Sequence, residues 1–179
     1  AMGGEDHLVS AGHLLDQLAD DIGALTIGMH NYLGAGSTYE AISENGLAFG
    51  VLAPVNFKYP THLKIKTAFH NVDGDKIGAS DASYFLFANE VLVGSKWIER
   101  GRLNILPQLG LGFVAERYRI TKGTGGSHGD FFIDLSCRFD VALADFSVGA
   151  LVNFERDFNI GYGSFLSPNR LNIAFVISK

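Results

Sequence analysis

The sequence is poor in the features that define several common protein classes. Its 179 residues include one cysteine, Cys137, which excludes an internal disulfide and a cysteine-ligated metal cluster. No stretch approaches the roughly 20 consecutive apolar residues of a membrane-spanning helix. The formal net charge is −5 and no basic stripe is present, which speaks against a nucleic-acid partner. Charged residues make up only 18% of the chain, whereas a soluble protein usually carries about 25%.

The apolar content of 47% is instead distributed at every second position. The clearest stretch runs from Asp130 to Phe154, where apolar and polar residues alternate on both sides of a short turn at residues 142–145. Successive side chains of a strand point to opposite faces, so this pattern predicts two antiparallel strands, each with one apolar face. Cys137 lies on the apolar face, and we expect an inert, buried or lipid-facing thiol.

Similar alternation begins near residues 23, 47, 63, 84, 103, 130, 146 and 171, which predicts eight strands within a barrel spanning residues 23–179. Connections are long after every odd strand and short after every even one, as in outer-membrane barrels with short periplasmic turns. The predicted outer loops lie near residues 33–45, 72–83, 119–129 and 157–169. Pro54 is expected near a strand end or at a bulge. Asn89 interrupts an apolar face, which leaves the phase of residues 84–97 ambiguous and would fit a bulge.

This architecture resembles the small eight-stranded outer-membrane barrels of the OmpA-type and Opa-type surface proteins. The resemblance covers roughly residues 23–178 and includes the run PQLGLG at 107–112 and the apolar alternation of the last strand. It implies an up-and-down antiparallel transmembrane barrel in a bacterial outer membrane. The implied partners are the lipid bilayer and lipopolysaccharide, with a host or envelope protein contacted through the outer loops.

The residues on the face opposite the apolar one distinguish a membrane barrel from a soluble one. A lipocalin-like barrel covers its outside with many charged residues, whereas this face holds small residues and scattered charges of both signs. Such a face suits a narrow, filled lumen whose buried charges must be paired. The predicted salt-bridged lumen, without an open pore, contains Lys64, Lys66, Glu90, Glu116, Asp134, Arg138, Asp140 and Glu155. The alternative is that these residues solvate an exposed sheet face.

Six aromatic residues lie close to predicted strand ends, where aromatic girdles mark the two membrane interfaces. Ordinary packing at the sheet margins would also place aromatic residues there. The six are Tyr59, Tyr84, Trp97, Tyr118, Phe154 and Phe158.

The N-terminal part differs from the rest of the chain. Residues 5–22 place apolar side chains at helical spacing, which predicts a short amphipathic helix. It would lie at the barrel mouth, plug the lumen or form the tail of an upstream region. Residues 1–4 resemble a tag remnant and no secretory signal is visible, so we expect that a native targeting peptide was removed.

No motif in the sequence specifies catalysis or metal binding. Asn71, Asp73 and Asp75 alternate, but the glycine and glutamate of an EF-hand loop are missing downstream. Ser127 beside His128, or His70 near acidic residues, would suit a lipid hydrolase only if hydroxyl, base and orienting group converged in space. We therefore expect neither a cofactor nor a metal.

The sequence favours a non-enzymatic outer-membrane barrel that displays its loops for surface interaction or envelope integrity. Two alternatives stay open, a soluble lipocalin-like ligand-binding barrel and a lipid-modifying barrel enzyme.

Overall fold

The computed structural model describes residues 23–33, 42–73, 83–95, 97–120, 124–158 and 167–178. Residues 1–4 and the predicted helix 5–22 lie outside these ranges. The strands are β1 (Ala24–Tyr32), β2 (Ile42–Val55), β3 (Thr61–Val72), β4 (Ser83–Gly94), β5 (Ile98–Arg100), β6 (Leu103–Ile120), β7 (Thr124–Ala142), β8 (Ser147–Asp157) and β9 (Asn169–Ser178).

The strands close into an antiparallel barrel. Each long strand pairs with its neighbours in sequence, and β1 pairs with β9 from Ala24 opposite Ser178 to Tyr32 opposite Arg170. The three-residue β5 only folds back on the start of β6, while β4 pairs with β6 directly, so eight strands form the wall. The predicted eight-stranded, up-and-down topology is confirmed.

Inward and outward positions alternate along the wall. β4 alternates exposed and buried residues from Ser83 to Gly94 without interruption, and its register with β3 is continuous. The bulge considered for residues 84–97 is therefore absent from β4, and Asn89 simply faces outward. A register shift does occur elsewhere, in the pairing of β2 with β3, between Ile42 and Gly46. Pro54 is exposed and next to last in β2, as predicted.

The predicted loop at 119–129 is wrong over most of its length. β6 and β7 remain paired up to Ile120 opposite Thr124, which leaves residues 121–123 between them. The Gly-rich sequence suggested a loop, but pairing with the long β6 partner outweighs this weak local preference. Three other connections, residues 34–41, 74–82 and 159–166, lie outside the described residues.

The outside of the barrel is apolar and the inside is polar. Leu135 is 58% exposed and Leu111 is 61% exposed, while Lys64, Asp134 and Arg138 are buried in the interior. A soluble lipocalin-like barrel would show the reverse arrangement, so the structure contradicts that alternative. Among the described residues, no helix has the length and hydropathy needed to cross a bilayer. Closed barrels with an apolar outer band span membranes because every strand is paired and no edge meets the lipid.

The aromatic girdle prediction is partly wrong. Tyr84 is buried in the lumen and Tyr118 packs against the same interior cluster. Both lie at inward positions of β4 and β6, where strand parity, rather than closeness to a strand end, determines which way a side chain points. Tyr59 and Phe158 are exposed at strand ends, on the outside of the wall.

Candidate functional site

The candidate site is the charged interior. All eight predicted lumen residues are buried. They form two separate groups: a large central network and a smaller group near the short turns. The eight are Lys64, Lys66, Glu90, Glu116, Asp134, Arg138, Asp140 and Glu155.

Lys64 lies among three carboxylates from three other strands. Its Nζ is 2.5 Å from Glu90 Oε1, 3.5 Å from Asp134 Oδ2 and 3.7 Å from Glu155 Oε1. Glu90 is its direct cross-strand partner on β4. The Asn153 amide donates to Asp134 Oδ2 at 2.7 Å. The ammonium group thus offsets part of a charge that would otherwise be expensive to bury.

A glycine on β6 provides space for these carboxylates. Gly110 lies opposite Asp134, and a Cβ atom added to it would come within 3.0 Å of Glu90 Oε2 and 2.6 Å of Leu92 Cδ2. The small residue therefore leaves room for the two acidic side chains to approach Lys64.

Arg170 is the second centre of the network, and the sequence prediction missed it. Its guanidinium is fully buried and donates to Asp157 at 2.6 and 2.9 Å and to Glu155 Oε2 at 3.1 Å. Glu116 Oε1 lies 3.7 Å from Nη1, and the ring of Phe132 lies 5.2 Å from Cζ. The two-pronged contact with Asp157 is the geometry that arginine prefers with carboxylates.

Asp157 was missed because the predicted strand before the loop ended too early, and Arg170 because the predicted last strand began too late, at Leu171. Both fell in or beside the predicted loop at 157–169. The alternation of the sequence could have identified both residues as inward-facing. Arg170 continues the inward series of Asn172 and Ser178, and Asp157 continues that of Glu155.

Glu155 joins the two centres. Its Oε1 accepts from Lys66 Nζ at 2.5 Å and from the Asn172 amide at 2.7 Å, while Oε2 accepts from Arg170. The central network therefore connects β3, β8 and β9 through a single carboxylate.

The second group lies near the short turns. Arg138 donates to Asp140 Oδ1 at 3.0 Å and to Ser178 Oγ at 2.6 Å. Trp97 stacks beside it, with its ring 5.7 Å from Arg138 Cζ. Leu92 and Leu151 lie on the turn side of Glu90 and Asn153, within a buried apolar cluster. The buried charges therefore form two separate groups.

Polar aromatic side chains occupy the part of the lumen that is farthest from the short turns. The Tyr32 hydroxyl donates to Glu116 Oε1 at 2.8 Å and lies 2.5 Å from the hydroxyl of Tyr84. A ring nitrogen of His30 lies 2.9 Å from one of His70, whose other ring nitrogen lies 2.8 Å from the Ser43 carbonyl oxygen. His70, considered above as part of a catalytic site, thus bonds to a histidine and the main chain.

The other candidates for chemistry do not converge in the structure. Ser127 is exposed and His128 is buried, so the two adjacent side chains point to opposite faces of β7. Asn71 and Asp73 are exposed at the end of β3, and Asp75 lies outside the described residues.

One group of potential metal ligands occurs among the described residues. It consists of Glu90, Asp134 and Glu155, with ligand atoms within 4.8 Å of one another. The Lys64 ammonium lies between these carboxylates. The arrangement is that of an ion-pair cluster, because a lysine already supplies the positive charge.

The fold and the interior define a class: a closed, eight-stranded membrane barrel with ion pairs buried inside it. Comparison with known structures agrees. Neisserial surface protein A matches with a TM-score of 0.58 at 10% identity, covering 87% of this chain and 95% of that one. A major outer membrane protein from Thermus thermophilus matches with a TM-score of 0.50 at 13% identity, covering 87% and 98%. At these identities the likeness shows the fold.

No family model matches the sequence, and no curated protein matches it in sequence. The apolar belt and the even number of antiparallel strands are those of bacterial outer-membrane barrels, and we assign the chain to that membrane.

Proposed function

We propose that the protein is a non-enzymatic outer-membrane barrel whose ion-paired lumen is closed to solutes and whose outer end contacts lipopolysaccharide and a surface or envelope partner. The observation that carries the proposal is the set of buried ion pairs behind an apolar wall. Loops on a rigid scaffold are a common means of recognition.

The closed lumen is supported by the size and burial of the side chains inside. Arg170, Tyr84 and Phe132 are among the largest fully buried side chains, and all three project into the interior. The apolar cluster containing Leu52 and Leu92 lies on the turn side of the central network. An ion would have to pass both the apolar cluster and the ion pairs, which suits a scaffold better than a pore.

Contact with lipopolysaccharide is supported by arginines at the outer rim. Arg117 and Arg119 are exposed near the end of β6, and Arg156 is exposed near the end of β8. Guanidinium groups bind phosphate through paired hydrogen bonds, and lipopolysaccharide presents phosphates at the height of the outer rim.

The lipopolysaccharide contact can be tested with paired double variants. The unfolding midpoint of the refolded barrel is measured in phosphatidylcholine vesicles with and without added lipopolysaccharide. Arg117→Ala/Arg119→Ala should abolish the stabilisation that lipopolysaccharide provides. Arg100→Ala/Arg102→Ala, which removes two exposed arginines at the opposite end, should retain it. Equal responses of the two variants would contradict this part of the proposal.

The closed lumen has a separate test. Planar bilayers containing the refolded barrel should show no steady ion conductance. Reproducible single-channel steps from the unmodified protein would contradict a sealed scaffold.

A further inference from the structure

Asn89 is a polar residue on the apolar outside of the barrel. It is exposed and is the middle one of the five outward positions between Phe85 and Val93 on β4. Its cross-strand neighbours are Ile65 and Phe113. Within the described residues, no hydrogen bond involves the Asn89 side chain.

Asn89 lies near the middle of the hydrocarbon. It is five residues from Gly94 at the turn end of β4 and six from Ser83 at the outer end. At about 3.3 Å per residue and a strand tilt of about 40°, it stands about 13 Å above Gly94, half the height of an apolar band of about 25 Å. The short asparagine side chain cannot reach the headgroups from that depth, and lipid chains offer its amide no hydrogen bond.

A second polar group lies beside it. Thr67 on β3 is outward and half-buried, but its hydroxyl oxygen is itself buried, so it is the Asn89 amide that this wall offers to a partner. Thr67 is opposite Phe87, and Ile65 is opposite Asn89, so Thr67 and Asn89 are diagonal neighbours. The wall made by β9 and β1 presents apolar residues instead, at Leu25, Ile27, Met29, Ile173, Phe175 and Ile177.

We propose that the barrel forms a homodimer in the membrane through its β3–β4 wall, with the Asn89 amides of two copies hydrogen-bonded to each other. A carboxamide has both donors and an acceptor, so it is complementary to itself. A two-fold axis brings each residue near the axis to its own copy, which allows two reciprocal N–H···O bonds. A groove on the β6 side of Asn89, lined by Val91, Leu111 and Phe113, borders this wall and can receive apolar side chains of the second copy.

A second copy of the chain can form hydrogen bonds with the Asn89 amide, and no other molecule is needed. The proposal depends on the membrane-spanning fold and is independent of the proposed loop and lumen functions. Removing the amide should weaken the dimer and leave the barrel folded, because leucine suits a lipid-facing position.

The test measures association in phosphatidylcholine vesicles by energy transfer between labelled copies. A Cys137→Ser background with Asp145→Cys places the dye at an exposed short turn. Asn89→Leu should weaken dimerisation about threefold to thirtyfold, the range expected for losing hydrogen bonds in a membrane. Asn89→Gln, which keeps the amide, should retain much of the association. Heat-modifiable migration on a gel verifies that each variant is folded.

Disulfide trapping locates the interface. In the Cys137→Ser background, Asn89→Cys should cross-link to its own copy on oxidation, whereas Ile173→Cys on the opposite wall should not. A monomer at every protein-to-lipid ratio would overturn the proposal. So would undiminished association of Asn89→Leu, or equal cross-linking from both walls.

Discussion

Replacing Arg170 with alanine should strongly destabilise the barrel. The guanidinium makes three hydrogen bonds of 2.6, 2.9 and 3.1 Å to two buried carboxylates. Its removal leaves Asp157 without its partner and Glu155 with only its contacts to the two lysines and to the Asn172 amide. Breaking a buried ion pair by removing one partner costs about 3–5 kcal/mol, and we expect a loss in this range in the free energy of unfolding.

Two further variants separate charge from geometry. Arg170→Lys keeps the positive charge but loses the two-pronged contact with Asp157, so its cost should be smaller, about 1.5–3 kcal/mol for one charged hydrogen bond. Arg170→Ala/Asp157→Ala should recover part of the loss, because the uncompensated carboxylate is removed as well.

The assay is reversible urea unfolding in lipid vesicles, followed by the fluorescence of Trp97, the single tryptophan. Arg100→Ala serves as the control, because its exposed side chain should contribute less than about 0.5 kcal/mol. A loss below about 1 kcal/mol for Arg170→Ala would refute the reasoning, since exposed pairs contribute that little.

Three other predictions follow from the same interior. Lys64→Met should destabilise the barrel by about 3–5 kcal/mol in the urea assay because Glu90 and Asp134 lose their ammonium partner, and an effect below that of Arg100→Ala would contradict this. Gly110→Val should cost about 1–3 kcal/mol through overpacking against the same carboxylates, and unchanged stability would show that the lumen has spare room. A fluorophore attached at Leu135 should be quenched by lipid-phase quenchers while one at Asp134 should not, and the reverse result would invert the assigned faces.

The sequence predicts the barrel wall well because the alternation of apolar and polar residues within each strand shows which side chains face outward. The alternation from Asp130 to Phe154 corresponds to β7 and β8, and the same parity rule places Lys64 and Arg138 inside. These are local properties of the chain. They suffice to predict the strand topology and to predict which face of the wall is apolar and which is polar.

The contacts between the strands could not be predicted in the same way. Lys66 and Glu155 are 89 residues apart in sequence, and their contact depends on the registers of all the intervening strands. Strand ends are equally hard to place, which is how Arg170 was left between the predicted loop and the predicted last strand. The division into two groups depends in the same way on which strands meet, because the apolar cluster on the turn side of the central network combines Leu52, Leu92 and Leu151 from three strands.

The position of Arg170 on β9 also has a consequence for biogenesis. β9 leaves the ribosome after every other described strand, and until it arrives Glu155 and Asp157 lack the cation that they share. A sheet without β9 would keep Lys64 and Lys66 beside Glu155 but would carry the Asp157 carboxylate into the membrane without its cation, which is costly. Closure of the barrel and insertion into the bilayer should therefore be coupled, and a chain truncated before β9 should fail to insert.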